Sequence, residues 1–286
     1  VYGLLLLLPL ALAAGDNPKP IELLVRGDDM GHSLDVNVAF IKEHTEGILT
    51  SASLMAPAPY FDDAVARCKQ HPKLAPGIHV TLMATVPMRP VSPPEKIPSV
   101  IGSDGYFYHG LKELVAAKPK IEEVEREVRA QIEKSLATKL RFVYLDWHMS
   151  SNGGNERPDI EELFRRLCRE YKLLYTHDAQ DVDGRYSGAK YFSAGLEAWG
   201  RVVLPDNTVA YWCGPDLPEA TRLKFLDKLR TLEPGAWYTV CHPGLHSRRQ
   251  AQSAAVICSQ EVKDIVRQRG IRLISYADLA ERKSKQ

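Results

Sequence analysis

The stretch IELLVRGDDMGHS, residues 21–33, runs a short apolar segment straight into two adjacent acids and a glycine. Adjacent carboxylates repel, and neither tolerates burial without a partner. The segment reads as a buried strand whose carboxyl end carries chemistry. Beyond it, Ser33–His44 has helical spacing, with Leu34, Val38 and Ile41 on one face, Ser33 as cap and Gly47 just past the end. The alternation continues with a strand at Leu49–Ala56, a helix in YFDDAVARCKQ and a strand at Ala75–Ala84. Ile121, Val124, Val128, Ile132 and Leu136 recur at helical spacing, followed by a strand at Arg141–Met149. A helix with Pro158 in its first turn, the strand KLLYTH and a helix over Pro218–Arg230 come next. GAWYTVCHPG, a helix over Ser259–Arg269 stopped by Gly270, and IRLISY complete the pattern. Thr85–Pro119 and Asp178–Leu217 show little periodicity, and the first is too long for a plain connector. Repeated strand–helix units imply a parallel sheet. The expected class is α/β: a distorted or incomplete (β/α) barrel of about seven parallel strands.

A chain of 286 residues, 44% hydrophobic and 26% charged, can build one enzyme-sized core. Its net charge of +1 gives no electrostatic case for nucleic acid or anionic membranes. EEVEREVRAQIEK mixes signs and reads as a solvated helix face. Leu4–Leu12 is apolar, too short to span a bilayer, and followed by small residues. Residues 1–14 are therefore expected to be a secretory signal, with 15–286 a single catalytic barrel domain that is exported and not membrane-inserted after cleavage. Five scattered cysteines without a CxxC do not form a disulfide framework, and Cys68 and Cys168 read as small buried hydrophobes.

In such folds the active site lies at the carboxyl ends of the strands. That rule aligns the polar residues of the chain. Asp28 and Asp29 end the first strand, His79 lies in the third, Asp146 and His148 in YLDWHM, and His242 in TVCHPG. An Asp with two or more neutral imidazoles suits Zn²⁺ or another divalent ion, and Asp146 can orient a neighbouring ligand. Taken singly, each has a structural reading: His79 a core histidine, Asp28–Asp29 a helix cap, Asp146 a hydrogen-bond acceptor, His242 a turn residue. His177 reads as structural, and His32, His44, His71, His109 and His246 as surface residues. Trp147 alternates with Asp146 and His148 and should point away from them.

The segment LLVRGDDMGHSLDVNVAFIKEHTEGILTSASLMAPAPYFDDAV with GIHVTL, YLDWHMSSN, TVCHPG and GIRLISYADL resembles the YdjC/ChbG-like carbohydrate deacetylase family, from about Ile21 to about Leu279. The resemblance implies a distorted barrel, a divalent metal (Zn or Mg) and hydrolysis of an N-acetyl group on a sugar, with a chito-oligosaccharide-like substrate. It places metal ligands on Asp29, His79 and His148, the catalytic base on Asp28 and a general acid on His242. Two departures stand out: RGDDMG replaces the commoner NADDFG, and Met149, Ser150 and Ser151 follow His148 where many relatives carry a further His. The partner expected is an N-acetylated carbohydrate, with a homo-oligomer left open. Rival readings are another metal-dependent hydrolase acting on a phosphoester or non-sugar amide, a non-catalytic secreted carbohydrate-binding protein, and a tethered structural protein. Tyr106, Tyr108, Trp147, Trp199, Tyr211 and Trp212 are candidate sugar-stacking aromatics.

Overall fold

A computed structural model describes residues 20–176, 190–191, 200–203, 209–212, 219–245 and 248–285. The leader expected over residues 1–14, together with His177, Trp199, Cys213 and His246, lies outside the described residues. The elements in chain order are β1 (Ile21–Met30), α1 (Leu34–Glu46), β2 (Ser51–Leu54), α2 (Phe61–Gln70), β3 (Ala75–Val80), α3 (Leu111–Ala116) and α4 (Ile121–Ala137). They continue with β4 (Tyr144–Trp147), α5 (Pro158–Tyr171), β5 (Leu174–Tyr175), β6 (Lys190–Tyr191), β7 (Gly200–Val203), β8 (Val209–Trp212) and α6 (Glu219–Thr231). The last are β9 (Gly235–Cys241), α7 (Arg248–Ile257), α8 (Gln260–Gln268), β10 (Arg272–Leu273) and α9 (Tyr276–Ser284).

Seven strands run in the order β5-β4-β3-β2-β1-β9-β6, with β10 pairing the start of β1, and every pairing in this sheet is parallel. The sheet curls into an incomplete α/β barrel, as the strand–helix alternation predicts. Within the expected irregular region, β7 and β8 form a separate antiparallel pair. No helix among the described residues is long and apolar enough to cross a membrane.

Two apolar clusters lie on opposite faces of the sheet. The larger packs Leu23, Val25 and Ile78 against helix residues such as Phe40, Val128, Phe164 and Phe225. The smaller joins Leu24, Tyr144, Leu174, Tyr238 and Val240 to Ile274 and Tyr276 on the inner face. Gly77 explains how so large a ring as Tyr144 fits there: a Cβ at this position would lie 2.1 Å from the ring. Glu22 shares the inner face and is buried at the amino end of β1. Arg282 grips it with bonds of 2.6 and 2.9 Å, and Arg272 adds a third, fastening β10 and α9 to the barrel.

Two helix faces differ from expectation. Leu34 and Val38 of α1 are 48% and 41% exposed, while Val36, Asn37, Ala39, Phe40 and Glu43 are buried. The expected face counted apolar letters alone. The polar Asn37 and Glu43 turn inward instead, because each meets a partner. Asn37 accepts from the Gly31 N–H at 2.7 Å, and Glu43 Oε2 accepts from the Cys241 thiol at 3.6 Å. Glu43 Oε1 has no partner among the described residues. The mixed-sign stretch of α4 is solvated only in part: Glu122, Arg126, Glu133 and Lys134 are exposed, but Glu123, Glu127 and Gln131 are buried. Their spacing of four places them on one stripe, which faces the chain leaving β3. Of the histidines expected at the surface, His109 is exposed and His32, His44 and His71 are half-buried; His44 Nδ1 lies 2.8 Å from the Leu49 carbonyl. Cys68 and Cys168 are buried as expected.

Candidate active site

Alternation along a strand would send Asp28 and Asp29 to opposite faces. The ladder between β1 and β2 slips between Gly27 and Met30, where three steps on β1 match two on β2. This bulge coincides with a positive φ of 77° at Asp29 and is followed by Gly31 at 102°. Left-handed backbone is uncommon for a non-glycine residue, and strain of this kind persists where surrounding structure enforces it. The result is that both carboxylates reach the mouth of the barrel. Gly27 allows the close approach of Phe40 and Pro243, whose atoms would lie 2.6 and 2.9 Å from a Cβ.

Each remaining group arrives from its own strand end. The register of β3 and β4 sets His79 directly beside Asp146. His148 follows β4 by one residue, its N–H held by the Val80 carbonyl at 2.9 Å. Asp29 Oδ1 lies 2.7 Å from His148 Nδ1 and 3.2 Å from His79 Nε2. His79 Nδ1 faces Asp146 Oδ1 at 2.9 Å, and Asp146 Oδ2 accepts from Ser53 Oγ at 2.6 Å. His242 is half-buried; its Nδ1 is enclosed and lacks a hydrogen-bond partner among the described residues. The structure thus brings Asp28, Asp29, His79, Asp146 and His148 together, with His242 near enough to influence Asp29. Trp147 points away and stacks on Tyr175, ring centroids 5.6 Å apart.

Arg26 is the functional residue that sequence reasoning missed. Its guanidinium is buried and grips Asp28 through two bonds, Nε to Oδ1 at 2.7 Å and Nη2 to Oδ2 at 3.0 Å. Nε also lies 3.1 Å from Asp146 Oδ2, and Nη1 donates to Thr176 Oγ1 at 3.3 Å. The signal was present: residues two apart on a strand share a face, so Arg26 and Asp28 had to meet. Burial opposes the charge on Arg26, but Asp28 and Asp146 hold it protonated.

The electrostatics favour a cation. Burial alone would raise the Asp29 carboxyl, yet His148, His79 and His242 hold it well below the usual carboxylate range. Burial likewise opposes protonation of His79, and Asp146, Asp28 and Asp29 outweigh it, raising the imidazole to about 10. Asp146 is raised by burial but held low overall by Arg26 and His79. Two sets of three groups have ligand atoms within 4.8 Å of one another: Asp29, His79 and His148, and Asp28, His79 and Asp146. The Arg26 guanidinium lies on both carboxylates of the second set, which leaves the first as the fit for a divalent ion. Its donors are one carboxylate oxygen and two imidazole nitrogens, a set suited to such an ion. Asp146 holds the remaining nitrogen of His79, as an orienting carboxylate does for a metal-bound histidine. Three carboxylates and one guanidinium leave a formal charge of −2 once the imidazoles have given up their protons, which a divalent cation balances.

A family model described as YdjC-like protein matches residues 22–268. A Brevibacillus brevis protein named carbohydrate deacetylase is 35% identical over 270 residues, 91% of this chain and 100% of that one. A Geobacillus stearothermophilus protein of the same name is 31% identical over 277 residues, covering 91% and 98%. A crystal structure from Enterococcus faecalis V583, of a protein provisionally described as acting in cellobiose-phosphate cleavage, has the same fold. It superposes with a TM-score of 0.73 at 24% identity, covering 91% of this chain and 99% of that one.

Proposed function

Since this chain belongs to the YdjC-like protein family, we propose that it is a metal-dependent carbohydrate deacetylase, hydrolysing the N-acetyl group of an amino sugar unit. The observation that carries the reading is the bulge at Asp28–Asp29, which sets one acid among two imidazoles and the other beside them under Arg26. The curated relatives named carbohydrate deacetylase support the substrate class.

Asp29, His79 and His148 would hold the ion. When bound, a divalent ion polarises the acetyl carbonyl and makes water acidic enough to attack it at neutral pH. Asp28 is the general base: its carboxylate takes a proton from the attacking water. The two-point grip of Arg26 fixes the plane of that carboxylate and compensates its charge in the buried site. Asp146, braced by Ser53, fixes the ring of His79 and directs Nε2 toward Asp29. His242 supplies the proton that an amine leaving group requires, and acetate and a free amino sugar result. His242 Nδ1 has no hydrogen-bond partner among the described residues.

The test is acetate release from a panel of N-acetylated sugars and oligosaccharides, with and without chelator, after loading with Zn²⁺ or Mg²⁺. Asp28→Asn should remove turnover and keep the bound ion. Absence of acetate from every member of the panel would refute the reading. Parallel assays on phosphoesters and non-sugar amides separate it from other metal-dependent hydrolysis on this scaffold.

A further inference from the structure

The chain leaving β3 does not form a free loop. Gln131 of α4 takes the Thr81 N–H at 2.9 Å and gives a bond to the Thr81 carbonyl at 2.7 Å. Ser151, in the turn after His148, takes the Leu82 N–H at 2.9 Å. Glu127 accepts the Val91 N–H at 2.9 Å on one oxygen and the Ser92 N–H at 2.8 Å on the other. Glu123 Oε2 accepts both the N–H and the hydroxyl of Ser99, at 2.8 and 2.7 Å. Arg126 adds a bond to the Lys96 carbonyl at 2.5 Å. The returning limb then pairs Tyr108 with Met83, the Ala84 N–H reaching the Tyr108 carbonyl at 2.9 Å. Leu111 closes against the turn between β4 and α5, its Cδ2 3.1 Å from where a Cβ on Gly154 would lie.

Two consequences follow for the site. Met83 is four residues beyond His79, so its Cα lies at most roughly 14 Å from the Cα of that candidate ligand, with Tyr108 paired beside it. The segment also presents the half-buried rings of Tyr106 and Tyr108, with the Arg89 guanidinium 4.5 Å from the Tyr106 centroid and bonded to its hydroxyl at 3.3 Å. Aromatic faces with a polar edge suit sugar rings. The anchoring of three main-chain N–H groups on buried carboxylates makes this a wall with a fixed path.

We infer that residues 83–111 form a preset wall that recognises carbohydrate beyond the reacting sugar unit, and that Glu123 and Glu127 are positioning residues holding it. The inference rests on the carbohydrate reading above and adds the residues that fix the path of the wall. Glu123→Ala removes the acceptor for Ser99, whereas Glu123→Gln keeps a carbonyl oxygen that can serve both bonds. Glu127→Gln loses one of its two acceptors.

The experiment compares the metal-loaded parent and variants on N-acetylglucosamine and on its trimer, with hydrogen exchange at Val91, Ser92 and Ser99. Glu123→Ala and Glu127→Gln should raise KM for the trimer by about tenfold or more while kcat changes by less than about threefold, the signature of lost binding that is the same in ground and transition states. The trimer's advantage over the monomer should shrink accordingly, and amide exchange at the released positions should quicken. Glu123→Gln should stay near the parent in both readouts, which also covers the case in which Glu127→Gln fails to fold. Equal losses on monomer and trimer, no trimer advantage in the parent, or unchanged exchange would overturn the inference. A parent protein that releases no acetate from any N-acetylated sugar would instead remove the deacetylase reading, with trimer binding by calorimetry and exchange left to judge the wall.

Discussion

Replacing Glu43 by Gln should change how stability depends on pH. Glu43 has no exposed surface, its Oε1 has no partner among the described residues, and its Oε2 meets only a thiol. Burial raises its carboxyl from 4.5 to about 8, with the Cys241 bond pulling weakly the other way. The native state therefore binds more protons than the unfolded chain between those two values. Stability from this group is complete below about 4.5, falls as pH rises and is lost above about 8. The gap of 3.5, at about 1.36 kcal/mol per pH unit, comes to about 5 kcal/mol in all. Roughly 3 to 4 kcal/mol of it falls between pH 5 and pH 8. Gln cannot ionise, so the difference in unfolding free energy between variant and parent should shift in favour of the variant by that amount across the interval. The buried amide adds a cost of about 1–3 kcal/mol that does not depend on pH, so the slope is the diagnostic quantity. Urea unfolding of both proteins at pH 5, 6, 7 and 8 supplies it, and all other titrating groups cancel in the comparison. A difference that moves by less than about 1 kcal/mol over this range would show that Glu43 is hydrated or paired in solution.

Other perturbations address the remaining architecture. Asp29→Asn should sharply lower the divalent-ion content of purified protein, measured by mass spectrometry of the metal, while Asp28→Asn should not. Arg26→Gln leaves Asp28 and Asp146 facing each other without their cation, and should lower acetate release by about 100-fold or more with the ion retained; parent-level turnover would remove Arg26 from the mechanism. Gly77→Ala forces a methyl into the Tyr144 ring and should destabilise by about 2 kcal/mol or more, read from a lowered urea midpoint. Glu22→Ala removes the carboxylate that fastens Arg272 and Arg282 and should quicken amide exchange across α9.

The fold was legible because its strands are apolar runs separated by helical periodicity, and every parallel strand delivers its last residues to one face. Asp28, Asp29, His79, Asp146 and His148 could be gathered on that basis before any coordinates. Arg26 escaped because a buried cation in a strand is rare, although its spacing from Asp28 put the two on one face. The inward face of α1 escaped for a related reason: Asn37 and Glu43 meet partners distant in sequence, Tyr60 and Asp63 for the first and Cys241 for the second. Periodicity sees polarity but not partners. The same holds for α4, whose stripe looks solvated until the loop it grips is known. The left-handed turn at Asp29 could not be read either, since a bulge is a property of two strands in register.

That stripe has a further consequence for what the protein can become. Glu123 takes one main-chain N–H along with the Ser99 hydroxyl, while Glu127 and Gln131 address main-chain atoms and each other. Most of the grip is therefore indifferent to which side chains the loop carries. Tyr106 and Arg89 can be exchanged for other residues while the path of the backbone stays where α4 puts it. Specificity and architecture are written in separate alphabets here, so the segment is a natural cassette for altering which carbohydrate is accepted without rebuilding the barrel beneath it.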